Sequence, residues 1–177
     1  GKLLGARVVE PKPGEYEWAF QFDFSGEYPN LIQGFNISPE TYVEYSKVKD
    51  FKKVFHVHYT DPKRGDMHFC FLKQPMGLLP RLIKRFKDKR AEYKKEQEKA
   101  IAAGEPEHVI KMWDRRQYNV KKNTNAIYGV MDYPKFRLHR SECTQATAVL
   151  GRISAECEYE YLPEADVGYG KGYTLLY

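Results

Sequence analysis

An aspartate and a backbone carbonyl group at the end of one strand could bind a divalent metal ion. In residues 16–24, aromatic side chains alternate with Ala19, Gln21 and Asp23, which predicts a half-buried strand with Asp23 on its polar face. Mg²⁺ prefers oxygen ligands, and phosphoryl transfer by two metal ions holds them about 3.5–4 Å apart. Asp23 and the carbonyl group of Phe24 could provide half of such a site. The alternative is an ordinary aspartate at a strand end.

Two later segments place cationic and amide side chains at helical spacing. The first segment contains three cations that a helix would place on one face: Lys87, Arg90 and Lys94. Lys121, Asn125 and Tyr128 have the i, i+4, i+7 spacing of one face of a second helix. If the two helices pair antiparallel, both sets point into one groove, where phosphate groups would accept charge-assisted hydrogen bonds. The alternative is a pair of solvated helices with ion pairs along their surfaces.

A pair of alternating segments offers a different metal site. Residues 54–60 and 67–73 flank the turn-forming segment 61–66, which predicts a β-hairpin. Four potential zinc ligands lie on its strands: His56, His58, His68 and Cys70. One hairpin register would bring all four together, as a zinc site requires, and the other would separate them. Polar residues at alternating strand positions are also common on a simple solvated face.

The order of the predicted helices and strands that carry these residues indicates an α+β fold. The predicted elements, in chain order, are strand 16–24, a short helix 27–35, the hairpin 54–73, helices 79–103, 107–128 and 141–159, and strand 167–177. Gly104 and Pro106 separate the first two long helices, which predicts an antiparallel helical pair. Strands at both ends with helices between them indicate an antiparallel sheet that carries a projecting helical hairpin.

The composition is typical of a globular protein with a modest positive charge. The chain has 177 residues, 42% of them hydrophobic and 30% charged, and a net charge of +5, which permits nucleic-acid binding without requiring it. No apolar run reaches the ~18 residues that span a bilayer, so we expect no membrane contact. The three cysteines lack CxxC spacing, which favours free thiols in a reducing compartment. The chain lacks both a starting methionine and a secretory signal, and we expect it to be a piece of a larger protein.

In this order, the segments resemble motifs of the family B DNA polymerases. Residues 23–32, DFSGEYPNLI, resemble the family pattern DFxSLYPSII, and residues 121–129, KKNTNAIYG, fit K-x3-N-x2-YG. Residues 73–80, followed by the arginine and lysine of R-x3-K at positions 90 and 94, resemble the start of the family's fingers helix. Residues 5–16 resemble its glycine- and proline-rich lead-in to the catalytic strand. The resemblance therefore covers nearly the whole chain.

The resemblance implies a role for five residues of the first motif. Asp23 would be the catalytic carboxylate, and it would bind the metal ion together with the carbonyl group of Phe24. Ser25 and Gly26 would offer backbone amides to an incoming triphosphate. Tyr28 would stack under the deoxyribose and exclude a 2′-hydroxyl group.

The two helices would supply the remaining contacts. Phosphate contacts would come from three cations: Arg90, Lys94 and Lys121. Asn125 would support the nucleotide pocket, and Tyr128 would line the nascent base pair. Lys87 and Gly129 would contact DNA.

Three departures from the family patterns affect this interpretation. Glu27 replaces a leucine beside the nucleotide site, and Asn30 replaces a serine. Residues 169–174 read YGKGYT where the family has YGDTDS, which places Lys171 and Tyr173 at its two aspartate positions. Because a lysine repels Mg²⁺, the second metal-binding carboxylate is expected to be lost. Three other carboxylates are conceivable substitutes: Glu27, Asp132 and Asp166.

The resemblance implies the palm and fingers of a template-directed DNA polymerase. Residues 1–75 and 131–177 would form the palm, and residues 76–130 the fingers. The reaction would be Mg²⁺-assisted attack of a primer 3′-hydroxyl group on the α-phosphate of a deoxynucleoside triphosphate. The partners would be primer–template DNA, the nucleotide and the remaining polymerase domains or subunits, in the cytoplasm (at the nucleoid) or in a nucleus.

The degenerate last motif predicts that the isolated chain is inactive. A catalytically inactive polymerase-like scaffold is therefore one alternative. An unrelated basic α+β domain that binds nucleic acid is another, and it would have no nucleotide pocket between residues 23–28 and 121–128.

Overall fold

The computed structural model describes residues 13–15 and 24–161, with side chains up to residue 157. Its helices are α1 (Glu27–Gly34), α2 (Leu78–Ala102), α3 (Glu107–Met131) and α4 (Ser141–Tyr161), and its strands are β1 (Tyr42–Val43), β2 (Val54–Asp61) and β3 (Gly65–Leu72). The predicted α+β class is confirmed. The strands predicted at 16–24 and 167–177, and the degenerate motif at 169–174, lie outside the described residues except for Phe24. The predicted pairing of those two strands stays a prediction.

The sheet is antiparallel and has the strand order β1-β3-β2. The predicted hairpin is confirmed as β2 and β3, with Val54 opposite Leu72 and Asp61 opposite Gly65. Its turn is shorter than predicted because the carboxylate of Asp61 accepts the backbone N–H groups of Lys63 and Arg64 at 3.0 and 2.9 Å. Strand β1 was not predicted, since two residues are too few to display alternation.

The two faces of the hairpin differ in character. Phe69 and Phe71 of β3 are almost fully buried, and Val57 of β2 packs with them in the hydrophobic core. Since Val57 lies opposite Phe69, one face of the hairpin is directed at the core. The opposite face carries His56 and His58, which are exposed.

The two long helices form the predicted antiparallel hairpin. Helix α2 ends where Gly104 adopts a φ of +68°, and the N–H group of Glu105 returns to the carbonyl of Ala100 at 3.0 Å. Glycine tolerates this left-handed conformation best, which explains why the chain turns there. Pro106 then directly precedes α3, as expected for a residue without a backbone N–H group.

Only the start of α2 and the end of α3 are part of the hydrophobic core. Leu79 and Ile83 of α2 and Ile127 and Met131 of α3 are buried with the sheet, α1 and α4. The outer halves pack on each other, for example through the rings of Tyr93 and Trp113, whose centroids are 5.9 Å apart. The helical hairpin therefore projects from the body of the fold. The predicted division of the chain into a palm and fingers stays a prediction. In the part of the chain that the structure describes, no helix is long and apolar enough to cross a membrane.

Candidate functional site

A cleft of about 330 Å³ opens between the start of α1 and the two long helices. Its walls come from three elements: Ser25, Gly26, Pro29 and Asn30 around the start of α1, Lys87, Arg90, Ala91 and Lys94 of α2, and Lys121, Thr124 and Asn125 of α3. Among the described residues that line it, four are cations and none is acidic. The electrostatic character of the cleft therefore favours an anion.

The cleft brings together most of the residues that the sequence singled out. These are Ser25, Gly26, Lys87, Arg90, Lys94, Lys121 and Asn125. Asp23 lies outside the described residues, and Phe24 directly before the cleft is half-exposed. Tyr28, Tyr128 and Gly129 are not part of the lining. The individual roles of all these residues stay predictions.

Lys87 connects α2 to α1 at the edge of the cleft. Its Nζ donates hydrogen bonds to Oδ1 of Asn30 and, at 2.7 Å, to Oε1 of Gln33. Asn30 in turn donates its Nδ2 to the carbonyl of Ser25 at 2.9 Å. Partial burial lowers the pKa of Lys87 below its usual value. The network holds the Ser25–Gly26 turn in a fixed position relative to α2.

Arg90 is oriented by a contact between the two long helices. Its Nε donates to Oε1 of Gln117 at 3.1 Å, and Nε2 of Gln117 donates to Asp114 at 3.0 Å. Sequence reasoning missed Gln117 and the Lys87 partners, because these pairs depend on how the helices are placed against each other. Thr124 was missed too, although it is three residues after Lys121 and on the same helix face.

Tyr28 of α1 and Tyr128 of α3 pack against each other. Their ring centroids are 4.4 Å apart, with the planes tilted by 56°. Burial, together with the neighbouring Tyr28 and Asp132, raises the pKa of Tyr128 to about 12. Burial and the adjacent Glu27 also raise the pKa of Tyr28, against the opposing effect of Arg152. Both hydroxyl groups therefore stay neutral at physiological pH and add no negative charge beside an anion site.

Helix α4 fixes the other side of the Tyr28 ring. A Cβ added at Gly151 would lie 2.9 Å from Cε1 of Tyr28, closer than real Cβ contacts come. Overpacking costs about 1–3 kcal/mol, and the preference of a helix for alanine over glycine offsets about 1 kcal/mol of it, so we expect Gly151→Ala to lower the free energy of unfolding by up to about 2 kcal/mol. Gly129→Ala is the matched control, because its added Cβ meets no atom within 4 Å and alanine favours the helix by about 1 kcal/mol. Urea unfolding should move in opposite directions for the two variants, and a stabilised Gly151→Ala protein would contradict this packing.

The four zinc-ligand candidates lie on one face of the hairpin but do not form a metal site. His56 is opposite Cys70, and His58 is opposite His68. The rings of His58 and His68 stack with their centroids 4.5 Å apart instead of converging on one point, and Cys70 is fully buried. Burial raises the pKa of the Cys70 thiol, which disfavours the thiolate that zinc binds. Across residues 13–15 and 24–161, no group of three or more His, Cys, Asp or Glu side chains could hold a metal ion.

Comparison with known proteins identifies the family. The family model described as DNA polymerase family B matches residues 2–166. The chain is 34% identical over 152 residues to DNA polymerase 2 of Aeropyrum pernix, covering 86% of this chain and 18% of that protein. It is 31% identical over 173 residues to a DNA polymerase of Pyrococcus glycovorans, covering 98% of this chain and 20% of that protein.

A solved polymerase structure is also similar to this chain. The family B DNA polymerase of the hyperthermophilic archaeon Pyrobaculum calidifontis superimposes with a TM-score of 0.68 and 28% identity, over 94% of this chain and 20% of that one. The chain therefore belongs to DNA polymerase family B, as its motifs predict. It spans about a fifth of the length of these relatives.

Proposed function

We propose that this chain is the nucleotide-binding palm-and-fingers module of a template-directed DNA polymerase. Its ligands are a deoxynucleoside triphosphate in the cleft and primer–template DNA beside it. Taken alone, the module binds these ligands without transferring a nucleotide. A catalytically inactive polymerase-like scaffold is the second candidate, favoured by Lys171 and Tyr173 at the aspartate positions of the last motif.

The observation that carries the proposal is the convergence of four cations from two helices on one cleft. Arg90, Lys94 and Lys121 would neutralise the triphosphate through charge-assisted hydrogen bonds. The backbone around Ser25 and Gly26, at the amino end of α1, adds donors that also favour negative charge. Asn125 would complete the pocket from α3.

The paired tyrosines support a sugar-binding role at the edge of this cleft. Tyr28 lies between Tyr128 and Gly151, so its ring has little freedom to move away from a ligand. A fixed ring below the deoxyribose would leave no room for a 2′-hydroxyl group. Tyr128 and Gly129 would then lie beside the nascent base pair.

Family B DNA polymerases use divalent metal ions, but this chain offers an incomplete set of ligands for two of them. We infer that the Asp23 carboxylate and the Phe24 carbonyl would be the ligands for Mg²⁺. The second carboxylate position carries Lys171, whose charge opposes cation binding. We therefore assign no step of nucleotidyl transfer to the isolated chain.

Isothermal titration calorimetry of the 177-residue chain tests the proposed ligand. dTTP should bind roughly tenfold or more tightly than dTMP, because the cleft cations contact the two additional phosphates. Thymidine should bind more weakly still. Equal affinity for dTTP and dTMP would contradict a triphosphate site, and DNA binding without nucleotide binding would favour the scaffold.

DNA binding by the same helices should depend on salt. Each phosphate neutralised on duplex DNA contributes about −0.9 to the slope of log K against log salt concentration. If both cations contact phosphate, replacing Arg90 and Lys94 by alanine should flatten that slope by about 1.8 and weaken binding to all sequences alike. Fluorescence anisotropy of one labelled duplex, titrated at several salt concentrations, measures the change. Unchanged slopes would remove these residues from the DNA contact.

A further inference from the structure

The face of the β-hairpin that is directed away from the core carries a stack of nearly parallel aromatic rings. Tyr45 stacks on His68 with centroids 4.2 Å apart and planes 15° apart, and His68 stacks on His58 at 4.5 Å and 7°. His56 joins the stack through a contact of 3.0 Å between its Nε2 and Nδ1 of His68. Face-to-face stacking of this kind favours one arrangement of the rings on the surface.

Two large rings at one end of this stack remain open to solvent. Phe51 contacts Tyr45 edge to face, with centroids 5.7 Å apart. Tyr45 is 42% exposed and Phe51 is 48% exposed. Together, five residues form what we call the aromatic patch: Tyr45, Phe51, His56, His58 and His68. It lies on the side of the hairpin that faces away from the core.

The segment that carries both exposed rings is basic. Residues 44–53 contain four lysines and two carboxylates. Lys47 pairs with Glu44 and Lys53 with Asp50, but among the described residues neither Lys49 nor Lys52 has an ion pair. Positive charge beside partly exposed aromatic rings is complementary to a polyanion whose bases are unpaired.

We propose that the aromatic patch binds a single strand of DNA, outside the nucleotide cleft. Unpaired bases would stack on Tyr45 and Phe51, while Lys49 and Lys52 contact the backbone phosphates. A duplex hides its base faces inside its own stack, so the patch discriminates against it. The inference concerns a second surface and does not require that the cleft binds a nucleotide.

Binding of a labelled oligothymidine of about 16 nucleotides to the full chain tests this proposal. Tyr45→Ala combined with Phe51→Ala should weaken binding of the single strand by roughly tenfold or more, since stacking on one aromatic side chain is worth about a factor of 5 to 150. Affinity for a duplex of the same length and for dTTP should stay within about twofold of the parent protein. Tyr133→Ala is the matched control, because Tyr133 is 55% exposed but lies after α3, outside the patch.

Photocrosslinking of the unmodified chain gives an independent answer that does not depend on how a variant folds. An oligothymidine containing 5-iododeoxyuridine should crosslink to Tyr45, Phe51 or a histidine of the patch, as located by mass spectrometry. Crosslinks confined to the cleft would overturn the proposal. Oligothymidine affinity that is unchanged in the double variant would also overturn it, and would leave a protein partner as the ligand of the patch.

Discussion

Replacing Lys94 and Lys121 by alanine should weaken binding of dTTP by roughly a hundredfold or more. The two lysines line the cleft from opposite helices, where a triphosphate would accept hydrogen bonds from both. A hydrogen bond to a charged group contributes about 1.5–3 kcal/mol, and each 1.4 kcal/mol changes the dissociation constant about tenfold. Calorimetric titration of dTTP into both proteins measures the loss.

The neighbouring residues in sequence supply the matched control. Lys95 and Lys122 are exposed on the same two helices, but neither lines the cleft, and Lys122 lies over the ring of Tyr118 instead. Lys95→Ala combined with Lys122→Ala removes the same charge and should change the affinity by no more than about threefold, since exposed charges are strongly screened. Equal losses in the two double variants would mean that net charge, and not the cleft, determines binding.

The isolated chain should not extend a primer in the presence of Mg²⁺ and all four deoxynucleoside triphosphates. We expect Lys171 and Tyr173 to take the positions of the aspartates of the last family motif, which would leave the two-metal arrangement without its second carboxylate. Incorporation by the purified chain should therefore stay at the background of a reaction without protein. A gel-based extension assay on a labelled primer–template measures it.

A single substitution makes the primer-extension test decisive. Mg²⁺-dependent incorporation that disappears in Asp23→Ala would mean that the chain completes its metal site with another carboxylate. It would also mean that the alignment of residues 169–174 with the family motif is wrong. Binding of dTTP without incorporation would agree with the account, because the cleft cations do not depend on the last motif.

Local sequence signals were sufficient to predict the helical hairpin. Gly104 and Pro106 stop one helix and start the next, and the observed bounds of α2 and α3 differ from the predicted ones by at most three residues. Helical spacing then placed Arg90, Lys94, Lys121 and Asn125 on facing surfaces, and the structure brings them into one cleft. These predictions succeeded because they depend only on periodicity and on the direction in which paired helices run.

Contacts between distant elements could not be predicted in this way. The hydrogen bonds of Lys87 span 57 residues to Asn30 and 54 residues to Gln33, and they depend on how α1 lies against α2. The hairpin illustrates the same limit, because alternation left two registers open. The observed register places the histidines on one face, but the register alone does not reveal that the rings of His58 and His68 stack instead of converging on a metal.

We propose that the cleft between α1 and the helical pair is a triphosphate site, and residue-specific NMR can locate the bound nucleotide there. Titration of dTTP into the isotopically labelled chain should shift the backbone amide resonances of Ser25, Gly26, Asn30 and Asn125, together with the Nε–H resonance of Arg90. Inorganic tripolyphosphate should reproduce most of these shifts, whereas thymidine should not. Shifts absent from the cleft, or located elsewhere on the chain at saturating dTTP, would contradict the account.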